Sequence, residues 1–152
     1  DRFGNPHSEH QLGWEAAGAV DEARRAVADL IGAAPGEIIL TAGATEANNL
    51  SVMGVARRTK RRHILVSAVE HKCVLAPAAA LSKQGFELQI IPVDADGIID
   101  LERLGQLIRP DTALVSVMAA NNEIGTLQPL KEISALCSEM GALFHSDAAK
   151  LA

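Results

Sequence analysis

The feature that most constrains this chain is a regular alternation between two hydrophobic periods. Short, almost wholly apolar runs, such as His63–Ser67 (HILVS) and 113–118 (ALVSVM), stand between longer segments whose apolar residues recur every three to four positions. A strand that is apolar at every position has no face to give to water, so it belongs in a sheet covered on both sides. The expected fold is therefore α/β: a three-layer αβα arrangement around a mostly parallel sheet. The spacing predicts a helix over 14–31, with Val20, Ala23, Val27, Leu30 and Ile31 in register and Gly32 as its stop. It predicts a strand at 37–41, then a helix that Thr45 is placed to cap. A strand at 63–67 and a helix from 73 to 84, ended by Gly85, come next. Further strands are expected at 87–93, 113–118 and 142–146, and further helices at 101–108 and 130–140. No linker, repeat or low-complexity stretch interrupts the pattern, so residues 1–152 read as a single domain, partial at both ends.

In open α/β sheets, ligands bind outside the carboxyl ends of the strands. Four unusual polar clusters of this chain fall at such positions. The first, 42–49 (AGATEANN), has the mechanics of an anion site. Gly43 permits close backbone approach, Thr45 offers a hydroxyl, and the following helix aims N–H groups at the loop. A capped helix after a glycine turn would look the same, and neither G-x-x-x-x-G-K-[ST] nor G-x-G-x-x-G occurs in the chain. The second cluster places His71 after Glu70 at a strand mouth, where a histidine also serves as a helix start. The third, Asn121-Asn122-Glu123, offers amides to a ligand or an Asx turn before Gly125. The fourth sets Asp147 directly after the apolar run ALFHS. An acid there is costly unless paired, so a cationic partner is expected, either a ligand or a local arginine.

Composition narrows the field. The 152 residues are 22% charged and 48% hydrophobic, an ordinary globular balance. A net charge of -5 argues against a nucleic-acid partner. No apolar run nears the roughly 18 residues that span a bilayer, so no membrane partner is expected. The first residues, DRFG, form no signal peptide, and the missing initiator methionine points to residues upstream. Arg57, Arg58, Lys60, Arg61 and Arg62 read as a solvated helix end. Cys73 and Cys137 read as buried or idle thiols of a reducing compartment, and the cytoplasm is the expected location. His7-Ser8-Glu9-His10 lacks further ligands at useful spacing, so no metal is expected.

Five ordered motifs carry a resemblance. FGNPHS at 3–8, TAGATEANNL at 41–50, EHK at 70–72, NNEIGT at 121–126 and HSDAA at 145–149 resemble those of cysteine desulfurases, members of the class V aminotransferase group of fold-type I pyridoxal-phosphate (PLP) enzymes. The resemblance covers essentially the whole chain. It implies that Thr45 and the backbone at Ala44 hold the PLP phosphate. It implies that His71 stacks on the ring and assists proton transfer, as the catalytic residue of this segment. Asn122 would bond near the phenolic oxygen, and Asp147 would pair with the pyridine nitrogen and keep it protonated. The implied reaction converts L-cysteine to L-alanine and leaves sulfur on an enzyme cysteine as a persulfide, for iron–sulfur cluster assembly or other sulfur transfer. The implied partners are L-cysteine or a similar amino acid, a second subunit in a homodimer, and a sulfur-acceptor protein.

Two departures from that pattern matter. Lys150 stands where the family normally has a glutamine that contacts the phenolic oxygen, so it is expected to bind the cofactor there with an added charge. The lysine that binds PLP covalently, the persulfide cysteine, the substrate-carboxylate arginine and the small domain are expected beyond Ala152. The segment alone is then expected to be inactive and to self-associate through uncovered apolar surface. A selenocysteine lyase, another class V aminotransferase, and a non-catalytic phosphate-ligand or partner-binding module are the alternatives.

Overall fold

The computed structural model describes residues 3–151, which fall into two compact units, one ending at Thr41 and one beginning at Ala42. In the first unit, α1 spans Gln11–Ile31. His10 caps it by accepting the Gly13 N–H on Nδ1 (3.2 Å). A Cβ at Gly13 would stand 2.2 Å from the Ser8 carbonyl oxygen, so only glycine fits where the entering chain folds back. The helix stops at Gly32 as the spacing predicts: its φ of 70° is left-handed, and the Ala33 N–H closes on the Ala28 carbonyl. The expected stripe is not the buried one, however. Ala16 and Ala28 are buried, whereas Val27, Leu30 and Ile31 are exposed, because nothing among the described residues covers them.

The expected strand at 37–41 does not form. Pro35–Glu37 is a single 3-10 turn, closed where Glu37 accepts the Ala34 N–H (2.7 Å). Residues 38–41 follow outside any described strand, with Ile39 and Leu40 exposed. Extended, β-branched sequence becomes a strand only where a neighbouring strand takes its N–H and C=O groups, and no described strand does so here.

The second unit begins with α2 (Ala44–Arg58). It continues through β1 (His63–Ser67), α3 (Lys72–Ser82), β2 (Glu87–Ile91), α4 (Leu101–Leu107), β3 (Thr112–Ser116), α5 (Leu130–Glu139) and β4 (Leu143–His145). The strands pair in the order β2-β1-β3-β4, and all three pairings are parallel. The α/β class with a parallel sheet is thus as expected, with each element ending within a few residues of its predicted bounds.

Period-two alternation divides the sheet between two cores. Ile64, Val66 and Leu114 pack with Val52 and Ala56 of α2 and with Val74, Ala78 and Leu81 of α3. Leu65 and Val115 point the other way, packing with Leu104 of α4 and with Ile133 and Cys137 of α5. Each of the valine, leucine and isoleucine side chains contributes roughly 1.5–3 kcal/mol on burial. Helices on both faces leave the carboxyl ends of β1, β3 and β4 as the place where polar loops gather.

Candidate active site

Residues from four loops meet around one cavity of about 210 Å³. Ala44 and Thr45 come from the first turn of α2, and His71 and Cys73 from the start of α3. Met118, Ala120 and Asn122 come from the segment after β3, and Asp147, Ala149 and Lys150 from the segment after β4. The six residues named in the sequence for cofactor binding or catalysis (Ala44, Thr45, His71, Asn122, Asp147, Lys150) all line it.

The α2 end differs in detail from the expectation. The helix begins at Ala44, so Thr45 lies inside its first turn and is not the cap. Gly43 holds the cap position and has no side chain to fill it, while Glu46 accepts the Ala42 N–H (2.7 Å). The first turn of a helix has no intrahelical partners for its N–H groups. A second hollow of about 460 Å³, lined by residues 42–46 and Asn49, opens on this turn and shares Ala44 and Thr45 with the first cavity.

His71 caps α3, accepting the Cys73 N–H on Nδ1 (3.2 Å). A backbone N–H can only donate, so Nδ1 carries no proton and the neutral ring holds its hydrogen on Nε2. Asn121 is the structural member of its pair: its Oδ1 accepts the Glu123 and Ile124 N–H groups, and its Nδ2 donates to the Val69 carbonyl. That turn leaves Asn122 exposed at the cavity wall.

Asp147 has no ion-pair partner among the described residues, so the arginine considered for it is not there. Neutral donors hold it instead. Its Oδ2 accepts the Asn48 amide (2.8 Å) and lies 3.5 Å from the Cys73 Sγ, and its Oδ1 accepts the Ala149 N–H (3.0 Å). Burial pushes its carboxyl upward, but these donors and nearby His145 more than offset that and leave it below the ordinary carboxylate range. The acid therefore faces the cavity ionised.

Two participants were not picked out from the sequence. Asn48 and Cys73 are both buried and both touch Asp147. Cys73 had been read as idle, yet its sulfur also lies 2.9 Å from His71 Nδ1. The signal available was position: Asn48 sits inside the first motif and Cys73 two residues after His71.

Comparison with known proteins identifies the family. The sequence matches the aminotransferase class-V family over residues 1–152. The chain belongs to that family. It is 54% identical over 151 residues to the mitochondrial cysteine desulfurase of Saccharomyces cerevisiae, covering 97% of this chain and 30% of that protein. It is 51% identical over 151 residues to the human cysteine desulfurase, covering 97% and 33%. Over 152 residues it is 53% identical to the cysteine desulfurase IscS of Rickettsia felis, covering 98% and 37%. Among solved structures, a NifS-like protein superposes with a TM-score of 0.93 at 40% identity over 97% of this chain and 42% of that one. A structure described as SspA in complex with cysteine gives 0.93 at 38%, over 99% and 44%. The class V chain thus spans about a third of the length of the curated relatives it matches.

Proposed function

We propose that the whole protein is a PLP-dependent cysteine desulfurase and that residues 1–152 form part of its cofactor-binding large domain. The observation that carries this reading is the ionised Asp147 carboxylate, held by neutral donors and without a cationic partner among the described residues, in a cavity whose opposite motif is a helix amino end. A ligand with a protonated ring nitrogen and a phosphate satisfies both features. The residues present therefore fit PLP.

In that reading the first turn of α2 and the Thr45 hydroxyl bind the phosphate. Asp147 holds a proton on the pyridine nitrogen, the charge that the buried acid otherwise lacks. His71, which lines the cavity with Nδ1 engaged by the Cys73 N–H, would pack on the ring and have Nε2 left to handle a proton. Asn122 and Lys150 orient the phenolic oxygen, Lys150 adding a charge where the resembled enzymes have a glutamine. When bound, PLP supplies the electron sink for the substrate carbon.

The substrate proposed is L-cysteine, converted to L-alanine with its sulfur passed to a cysteine beyond this segment and then to an acceptor protein, with iron–sulfur cluster assembly as one destination. The relatives' names and the cysteine-bound structure support that choice. A homodimer is proposed on the same family grounds, and a single partial domain because one family match runs across both units. The cytoplasm is the proposed location, since the two thiols are free. The test is to incubate the full-length protein with PLP, L-cysteine and a dithiol reductant, which reduces the persulfide and releases its outer sulfur as sulfide. Stoichiometric alanine and sulfide that depend on PLP are expected. An intact, PLP-loaded protein that forms no alanine would overturn the reading.

A further inference from the structure

The Cys73 sulfur occupies a position that its chemistry makes informative. It is buried, sits two residues after His71, and lies 2.9 Å from His71 Nδ1 and 3.5 Å from Asp147 Oδ2. Asn48 Nδ2 reaches both the sulfur (3.0 Å) and the same Asp147 oxygen (2.8 Å), and an amide has two hydrogens to serve them. The thiol itself has one hydrogen and two acceptors in reach. Cys137 is the contrast: also buried and free, it packs in the aliphatic core between the sheet, α4 and α5.

The two ends of this contact differ in what they need. With His71 neutral, Nδ1 is an acceptor already served by the Cys73 N–H, and the thiol hydrogen is free to turn to Asp147 or to Nδ1. When Nδ1 gains a proton it becomes a donor, and the Cys73 backbone N–H can no longer face it productively. The sulfur is then the acceptor within reach, and its own hydrogen turns to the carboxylate. Rotation about one Cβ–Sγ bond serves both states, with no proton changing atoms at sulfur. An alanine would serve only the neutral one.

We propose that Cys73 is a positioning residue whose thiol acts as a rotor joining His71 to Asp147, so that the imidazole that faces the substrate and the acid that faces the ring are oriented together. It does not act as a nucleophile. Burial pushes this thiol upward, with Asp147 adding to the effect, which keeps the sulfur protonated as the rotor requires. The consequence for function rests on the PLP reading above; the hydrogen-bond geometry does not.

The experiment uses the full-length protein with Cys73→Ala and Cys73→Ser, read two ways. Infrared difference spectra in the S–H stretching window, wild type minus Cys73→Ala, isolate this one thiol and need no activity. A band displaced to low frequency by hydrogen bonding is expected, and it should move in Asp147→Asn and in His71→Gln. Turnover with L-cysteine is expected to fall about tenfold in Cys73→Ala, the scale of one lost charge-assisted contact, and to recover in Cys73→Ser, whose hydroxyl turns the same way. A band at the position of a free thiol, indifferent to both neighbours, would overturn the proposal. So would a displaced band with equal turnover in the wild type and the alanine variant. Absence of any PLP-dependent turnover in the wild type would instead defeat the functional reading while leaving the infrared result to stand or fall alone.

Discussion

Asn48 donates its side-chain amide to Asp147 across 2.8 Å, although the two residues lie 99 positions apart in the chain. The bond ties the first turns of α2 to the segment after β4, the two places that hold opposite ends of the cavity. Asn48 is buried, so its removal leaves both the carboxylate and the Cys73 sulfur short of a donor.

Replacing Asn48 with leucine should lower the stability of the full-length protein by about 1–3 kcal/mol, the cost of stranding a buried hydrogen-bonding group. It should also alter acid sensitivity. Asp147 titrates below its ordinary range when folded, so it favours the native state above that range, and this contribution is lost as pH falls through the folded value. Without the amide, the upward push of burial meets less opposition, and acid unfolding should begin at a higher pH. Urea titrations between pH 3 and 7 measure both effects.

Glu70 gives the opposite pH dependence. It is buried in the turn that follows β1, no donor reaches its oxygens in good geometry among the described residues, and burial pushes it from 4.5 up to about 7, with Asp147 nearby adding to the shift. Met118, His71 and Ser67 ease the charge only in part. The unfolded chain ionises this group first as pH rises, so native stability should decline by about 3 kcal/mol between those values and then level off. Glu70→Gln should remove that decline. Denaturant midpoints of both forms at pH 5 and pH 8 measure it.

The loop carrying Asn122 is held from behind by the 94–99 turn. Gln128 is buried, donates to the Gly97 carbonyl (2.7 Å) and accepts the Ile99 N–H (2.9 Å), and Thr126 donates to the Asp96 carbonyl (2.6 Å). Gly97 is left-handed (φ 79°), and a Cβ there would stand 2.8 Å from Ile124 Cδ1. Gly97→Ala should therefore cost about 1–2 kcal/mol and displace the 121–126 turn. Gln128→Leu should cost about 1–3 kcal/mol. Thermal unfolding gives the cost, and PLP affinity of the full-length protein reports the displacement.

How much of this was legible beforehand depended on the kind of signal. The strands that exist, such as HILVS and TALVS, announced themselves because burial on both faces leaves an unbroken apolar run. EIILT at 37–41 carries the same kind of letters but pairs with no described strand, and pairing is not written in a single segment. Asp147 could be singled out because an acid beside an apolar strand needs an explanation. Cys73 and Asn48 could not, because each looks like an ordinary helix residue until the fold sets it beside Asp147. The partner of Asp147 was the reverse case: the need for a cation was readable, but the choice between a ligand and a local arginine was not, and no arginine pairs with it among the described residues.

The central claim is that Asp147 faces a protonated ring nitrogen of PLP. The most direct measurement is the visible absorbance and L-cysteine turnover of the full-length protein carrying Asp147→Asn, an isosteric change that keeps the side chain and removes the charge. The account predicts loss of the cofactor's yellow absorbance, or turnover reduced about a hundredfold or more. Unchanged absorbance together with unchanged turnover would contradict it.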